Sequence, residues 1–433
     1  MTAVNLQATK PVLGSPHAQA FFWVTTLTGT NMKKFRLVSS AAVTILSMQP
    51  FIFGHGQTAS SISEMLREGD TSLSFRYRYE LVDQDGIDED ANASTLKTRL
   101  TYKSASYNGF SALMEVDNVT IIGDENYRTP TNGNTQYPIV ADPDGTDFNQ
   151  ASLTYGSGDF SATLGRQRIL HAGQRFVGGV GFRQNEQTYD ALTLSSKALG
   201  PVAVNYSYIW DVNRIFGPKD SAVQPKRWKS DSHIMLASMS PAKGHSLSGY
   251  VYLLDFADAA ANSSSTYGVE YSGKFDGFAV KAAYATQSDN ADNPTSYDAD
   301  YMMAELSLPL KPVSVSLGYE VLGSDEGTAA FKTPLATLHK FQGWADKFLG
   351  TPANGVEDSY LKLAGKVGPA KLALVYHDYS ADFGGADLGS EVDVVATYPV
   401  SKSLSVQLKY ASYDSDDHAS DTDKLWFTIS AKY

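Results

Sequence analysis

Arginine is concentrated in one stretch of this sequence. Arg166 and Arg168 lie in Gly165-Arg166-Gln167-Arg168, and Arg175 in Gln174-Arg175-Phe176-Val177-Gly178. Arg183 opens Arg183-Gln184-Asn185-Glu186-Gln187-Thr188-Tyr189-Asp190. A guanidinium keeps its charge at any physiological pH and offers paired donors that fit a carboxylate. Four of them on adjoining segments are costly against lipid but natural around a water-filled passage. Two uses follow from these residue types. The arginines bind and pass an anionic solute, or they pair with Glu186 and Asp190 to hold a loop against a wall. The two uses are compatible.

The search for catalysis finds little. His171, His233, His245, His339, His377 and His418 are isolated and lack metal-ligand spacing. No phosphate loop, serine-elbow motif or zinc-protease motif occurs. A barrel enzyme such as a lipid hydrolase needs a Ser-His arrangement at the outer rim. The reading is therefore a non-enzyme without a cofactor. Asp142-Pro143-Asp144-Gly145-Thr146-Asp147 offers oxygen ligands for a loop-bound Ca2+, yet lacks the twelve-residue spacing and closing Glu of a calcium loop.

What must position the arginines is a set of strands. In the last nine residues Leu425, Phe427, Ile429, Ala431 and Tyr433 alternate with Trp426, Thr428, Ser430 and Lys432, a two-residue period with one apolar side. A last strand ending on an aromatic is also the signal that outer-membrane assembly machinery reads. Early in the chain Leu73, Phe75, Tyr77, Tyr79 and Leu81 alternate with Ser74, Arg76, Arg78 and Glu80. Further strands are expected near 96–103, 110–118, up to 155, and 160–169. The series continues at 187–198, 202–213, 230–240, 247–256, 265–273, 278–288, 298–308, 313–321, 356–366, 370–380, 390–398, 404–413 and 423–433. Short connections such as Val367-Gly368-Pro369 alternate with long ones throughout. The count is 18, with 16 as the alternative. An even number of strands about nine to eleven residues long suits an all-β, transmembrane antiparallel barrel with short periplasmic turns and long extracellular loops.

Composition agrees. There are 25 Tyr, 20 Phe and 35 Gly, and no Cys. The mean hydropathy of −0.25 does not argue for a soluble protein, because lumen-facing polar residues cancel lipid-facing ones in barrel strands. Residues 1–31 read as a leader upstream of the true start at Met32. Residues 32–59 read as a secretory signal, with Lys33, Lys34 and Arg36 before an apolar run. Residues 60–69 form a periplasmic lead-in, and 70–433 the barrel. Removing 1–59 deletes Lys10, Lys33, Lys34 and Arg36 and no acid, so the net charge of −12 becomes −16. That balance speaks against nucleic acid as a partner. The expected partners are a bilayer with lipopolysaccharide, the barrel assembly machinery and an anionic saccharide.

On the predicted polar faces early in the chain, Arg76, Arg78, Lys97, Arg99, Lys103, Arg166 and Arg168 outnumber Glu80, Glu115 and Asp117. This predicts a cationic inner wall. The loop near 322–355 is long enough to fold inward. Phe341, Trp344, Ala345 and Phe348 recur at three- and four-residue intervals, which predicts a short amphipathic helix over 341–349. Trp344, Asp346, Lys347 and Phe348 then either constrict the opening or cap the rim.

In its Arg166–Arg168 segment, its 174–178 and 183–190 segments, and Phe341-Gln342-Gly343-Trp344-Ala345-Asp346-Lys347-Phe348, the chain resembles the alginate export family of outer-membrane barrels. The resemblance runs from about Asp70 to Tyr433. It implies an 18-stranded monomeric barrel in a Gram-negative outer membrane, with a positively lined passage for an anionic polysaccharide. Arg166, Arg168, Arg175 and Arg183 correspond to the basic residues of that region. A general porin for small anionic or neutral solutes, an adhesion barrel and an outer-membrane enzyme are the alternatives.

Overall fold

The computed structural model describes residues 58–433. The leader and nearly all of the expected signal segment lie outside the described residues.

A short helix, α1 (Ile62–Arg67), precedes thirteen strands. These are β1 (Asp70–Gln84), β2 (Ala91–Lys103), β3 (Phe110–Ile121), β4 (Gly145–Ser157), β5 (Phe160–Gln167), β6 (Thr188–Leu199) and β7 (Val202–Asn213), then β8 (Arg227–Met239), β9 (His245–Leu254), β10 (Ser264–Lys274), β11 (Ala279–Asp289), β12 (Asp298–Leu308) and β13 (Val313–Leu322). A small hairpin, β14 (Ser324–Asp325) and β15 (Ala329–Ala330), sits in the long loop that follows. The chain ends with β16 (Val356–Val367), β17 (Ala370–Ser380), β18 (Asp387–Pro399), β19 (Leu404–Asp414) and β20 (Thr422–Lys432).

Apart from the hairpin, every strand pairs antiparallel with its neighbours in sequence, and β13 pairs with β16. The last strand closes on the first, from Ser74↔Lys432 to Gln84↔Thr422. The result is one 18-stranded barrel. Closure satisfies the backbone of every strand, which lipid cannot do for an open edge.

Strand parity divides the side chains as the two-residue period predicts. Outward positions carry exposed apolar residues such as Leu100, Met114, Leu153, Leu317 and Leu361. Exposed aromatics gather near the short turns, with Phe110, Tyr155, Phe160, Phe278 and Tyr398, and again toward the long loops, with Tyr267, Tyr319, Tyr376 and Tyr410. Two such girdles flank the apolar band of a membrane barrel. The β2–β3 turn uses Asn108 and Gly109, both at positive φ, as a tight right-twisting hairpin requires.

The expected boundaries shift at several ends. β1 runs on to Gln84 and β8 begins at Arg227, since pairing continues past the apolar band. β4 starts at Gly145, where 119–147 was expected to be loop. β5 stops at Gln167, two residues early, and that stop creates the site.

Candidate functional site

Because β5 is only 8 residues long, the chain leaves the wall partway along the barrel. Gln167 marks the exit, its side-chain amide donating to the carbonyls of Gly165 and Ala191. Residues 168–187 then cross the lumen before β6 begins. At one end the loop is fastened to β1 and β2. Arg76 donates to Gln184 Oε1 at 2.9 Å and to the carbonyls of Gly181 and Arg183. Gln184 donates on to Thr95 Oγ1. Arg183 pairs with Glu80 at 3.0 Å and with Asp346 of the later loop at 3.0 Å. At the other end, Arg175 pairs with Glu320 of β13 at 2.7 Å, and Phe176 packs on Tyr250, Tyr301 and Phe331. In the strand order β13 lies almost opposite β5, so the loop is a strut between far walls.

Between these ends the charges are matched. Arg99 pairs with Asp117 at 2.6 Å and Glu186 at 2.9 Å, and Lys97 reaches Glu186 at 3.8 Å. Arg168 bonds Glu186 at 2.5 Å and also Glu115. A bulge at Glu115/Val116 turns both Asn149 and Gln150 inward, and both donate to Glu115. Burial opposes ionisation of Glu186, but Arg168, Arg99 and Lys97 hold its carboxyl below the ordinary carboxylate range. Arg166 stands apart from this group, bonded to Asp190 at 2.8 Å. Arg78 stacks on Phe182 and reaches Asp142 at 3.5 Å. Lys103 alone of the expected set is exposed, on the wall of a cavity. Around the loop the expected cationic wall is thus largely neutralised: Arg78, Arg99, Arg166, Arg168, Arg175 and Arg183 each point at a carboxylate from another strand or loop, while Arg76 bonds an amide and backbone carbonyls.

The loop from 323 to 355 folds inward as well, without the helix expected over 341–349. Gln342, Gly343 and Asp346 all have positive φ, which interrupts an α-helix, and only Leu338–Lys340 makes a 3-10 turn. Wall contacts select this shape. Glu391 of β18 accepts the backbone N–H groups of Trp344 and Ala345. Asp346 accepts from His339 at 2.7 Å and from Lys424 at 3.0 Å. Burial opposes ionisation of Asp346, yet His339, Lys424 and Arg183 hold it well below its ordinary value. Burial likewise pushes His339 well down, so its neutral ring donates from Nδ1 to Asp346 and accepts the Lys409 ammonium at Nε2. That ammonium also lies 3.8 Å from the Trp344 ring centre. Burial takes Lys347, beside the Tyr413 ring, down to about 8. Phe348 packs between Tyr379 and His418.

The two inward loops are bonded to each other. Gly178 N–H donates to Leu335 carbonyl at 2.8 Å, and Thr337 N–H to Gln174 carbonyl at 3.0 Å. Asp142 is spent on Arg78, Arg183 and the Gln184 N–H, which corrects the idea of a calcium loop at 142–147. Among the described residues no group of acids and histidines stands where it could hold a metal.

Two cavities flank the crossing loop. The larger, about 1260 Å³, is lined by seven Lys or Arg against four Asp or Glu. The smaller, about 440 Å³, has five against one. Cations therefore prevail in the open space although the chain is acidic overall. The larger cavity holds residues that sequence reasoning missed: Lys281, bonded to Glu305 at 2.7 Å, Lys340, Lys362 and Tyr360. Burial lowers Lys340 to about 8. Lys281, Lys362, Glu320 and Lys409 all lie on the inward parity of their strands, so continuing the alternation past β6 would have found them. The Tyr360 ring lies flat over Gly318, where any Cβ would overlap it, and its hydroxyl donates to Glu305 at 3.0 Å.

No family model matches the chain, and no curated protein matches it. Solved structures do. Acinetobacter baumannii OccAB4 aligns at TM-score 0.66 and 14% identity, over 84% of this chain and 98% of its own. Pseudomonas aeruginosa OccK1 (OpdK) gives 0.66 and 14%, over 85% and 99%. OpdK solved with vanillate gives 0.65 and 15%, over 85% and 99%. The likeness is one of fold: a porin-like barrel of the outer-membrane type.

Proposed function

We propose that this chain is an outer-membrane channel for passive passage of small anionic solutes. One observation carries the reading. The space left around the crossing loop is cation-rich inside an acidic protein, which concentrates anions and passes them by repeated weak contacts. Lys103, Lys281, Lys340 and Lys362 are the side chains we assign to the path, with the arginine lattice around Glu186 holding its shape. Vanillate, a small aromatic carboxylate, bound to one neighbour of the same fold is in keeping with this.

The finer reading is that the anions are uronate-bearing oligosaccharides or longer alginate-like chains. Its support is the resemblance of the 165–168, 174–178, 183–190 and 341–348 segments. Against a long polymer stand two loops bonded to each other and to opposite walls, which favour small solutes. Lipopolysaccharide around the acidic long loops, delivery by the assembly machinery and a monomeric state complete the proposal.

Planar-bilayer recording of the purified protein tests it. A reversal potential of the sign set by Cl− over K+ in a salt gradient is expected, with glucuronate more permeant than glucose-sized neutral solutes. Cation preference would overturn the reading. Glucuronate passage without block by oligouronates separates the small-solute reading from polyuronate export.

A further inference from the structure

Helix α1 lies outside the barrel wall. Ser61 caps it, accepting the Glu64 N–H at 3.1 Å, while Glu64 accepts the Ser60 N–H at 2.6 Å. Met65 is buried against Ala59 and Ala105, with Ala112 packed beside them. The Ala105 N–H donates to Met65 carbonyl at 3.1 Å, and the Tyr102 hydroxyl donates to Leu66 carbonyl. Tyr102 pairs with Met114 across β2 and β3, on the outward parity shared with Leu100. The helix therefore rests on the outer surface at the short-turn rim. One turn apart on its free side, Ile62 and Leu66 are 65% and 54% exposed. They extend the outward apolar surface of Leu100, Met114 and Phe110.

We propose that α1 is an interfacial anchor: Ile62 and Leu66 insert into the acyl–headgroup boundary of the periplasmic leaflet, beside the barrel. The inference rests on the reading of the barrel as lipid-embedded. Its support is continuity. Tyr102 and Ala112, against which α1 rests, belong to the same outward strand face that meets lipid farther along at Leu100 and Met114, so the bilayer is what reaches its free side. Arg67, exposed in the last turn, is long enough to keep its charge at phosphate level. The anchor holds the start of β1 beside β2 at the seam where β20 closes the barrel.

The chain has no cysteine, so single-cysteine variants label cleanly. Ile62→Cys and Leu66→Cys carry a nitroxide in phosphatidylethanolamine–phosphatidylglycerol liposomes. Leu100→Cys serves as the belt reference and Lys243→Cys as the short-turn reference. Collision with oxygen relative to a nickel chelate is measured. The expected result is a ratio at 62 and 66 several-fold above that at 243 and approaching that at 100. A ratio equal to that at 243, or shielding from both quenchers, overturns the proposal, the second outcome indicating cover by protein. If position 100 itself behaves like 243, the lipid-embedded barrel has failed, and the anchor with it.

Discussion

Arg175 and Glu320 meet across the lumen, guanidinium Nε to carboxylate Oε1 at 2.7 Å, with both side chains about 6% exposed. One belongs to the loop that leaves β5 and the other to the facing wall. Gln342 of the second loop completes the contact, accepting from Arg175 at 3.0 Å and donating to Glu320. A single buried pair thus ties together both inward loops and the barrel.

Arg175→Ala leaves Glu320 buried and without its cation. Breaking a buried pair from one side costs about 3–5 kcal/mol. The expected outcome is release of both loops, read as larger and noisier single-channel conductance and faster proteolysis within 323–355. Arg175→Met with Glu320→Leu is expected to lose less than Arg175→Ala alone. Wild-type conductance in Arg175→Ala sinks the strut assignment.

Lys340→Gln with Lys362→Gln removes two positive charges from the larger cavity without stranding the Arg175–Glu320 pair. Anion preference in a salt gradient is expected to fall several-fold while the folded barrel remains. Arg166→Ala with Arg168→Ala also lowers it, because Asp190, Glu115 and Glu186 each lose one arginine partner. The discriminating result is thermal stability, expected to drop in the arginine variant only. Equal melting of the two variants contradicts the division between path and lattice.

Acid should loosen the second loop in two stages. His339 titrates well below its ordinary value in place, and a free His does so near about 6.5. The detached loop therefore binds the proton more readily, and the stability of the seat is whole above that pH and declines below it. Asp346 is likewise depressed, so a second loss begins as pH falls below about 4. Limited proteolysis of the loop between pH 7.5 and 3 should rise in both ranges. His339→Gln should abolish the upper stage alone, and a flat profile contradicts the assignment.

Gly318→Ala puts a methyl where the Tyr360 ring lies. Displacing the ring should break its bond to Glu305 and lower the unfolding temperature of the barrel in a heat-modifiability gel. In a Tyr360→Ala background the same change should be nearly neutral. Full destabilisation there shows that Gly318 serves some other contact.

The strands, their number and the direction of their side chains were legible in the sequence because alternation is local. Whether Arg76 or Phe75 faces inward depends on residues one and two positions away, and eighteen segments showed it clearly. The arginine segment stood out for a similar reason, since charge on an inward face needs only composition to be noticed. Partnership was not legible. Arg175 and Glu320 are 145 positions apart, and nothing near either residue names the other. The same holds for 341–349, whose apolar spacing suits a helix, while Glu391, Lys409 and Lys424 on distant strands pin it into left-handed turns. Tertiary closure brought the walls together, and with them decided which charges neutralise each other and which are left to meet a solute.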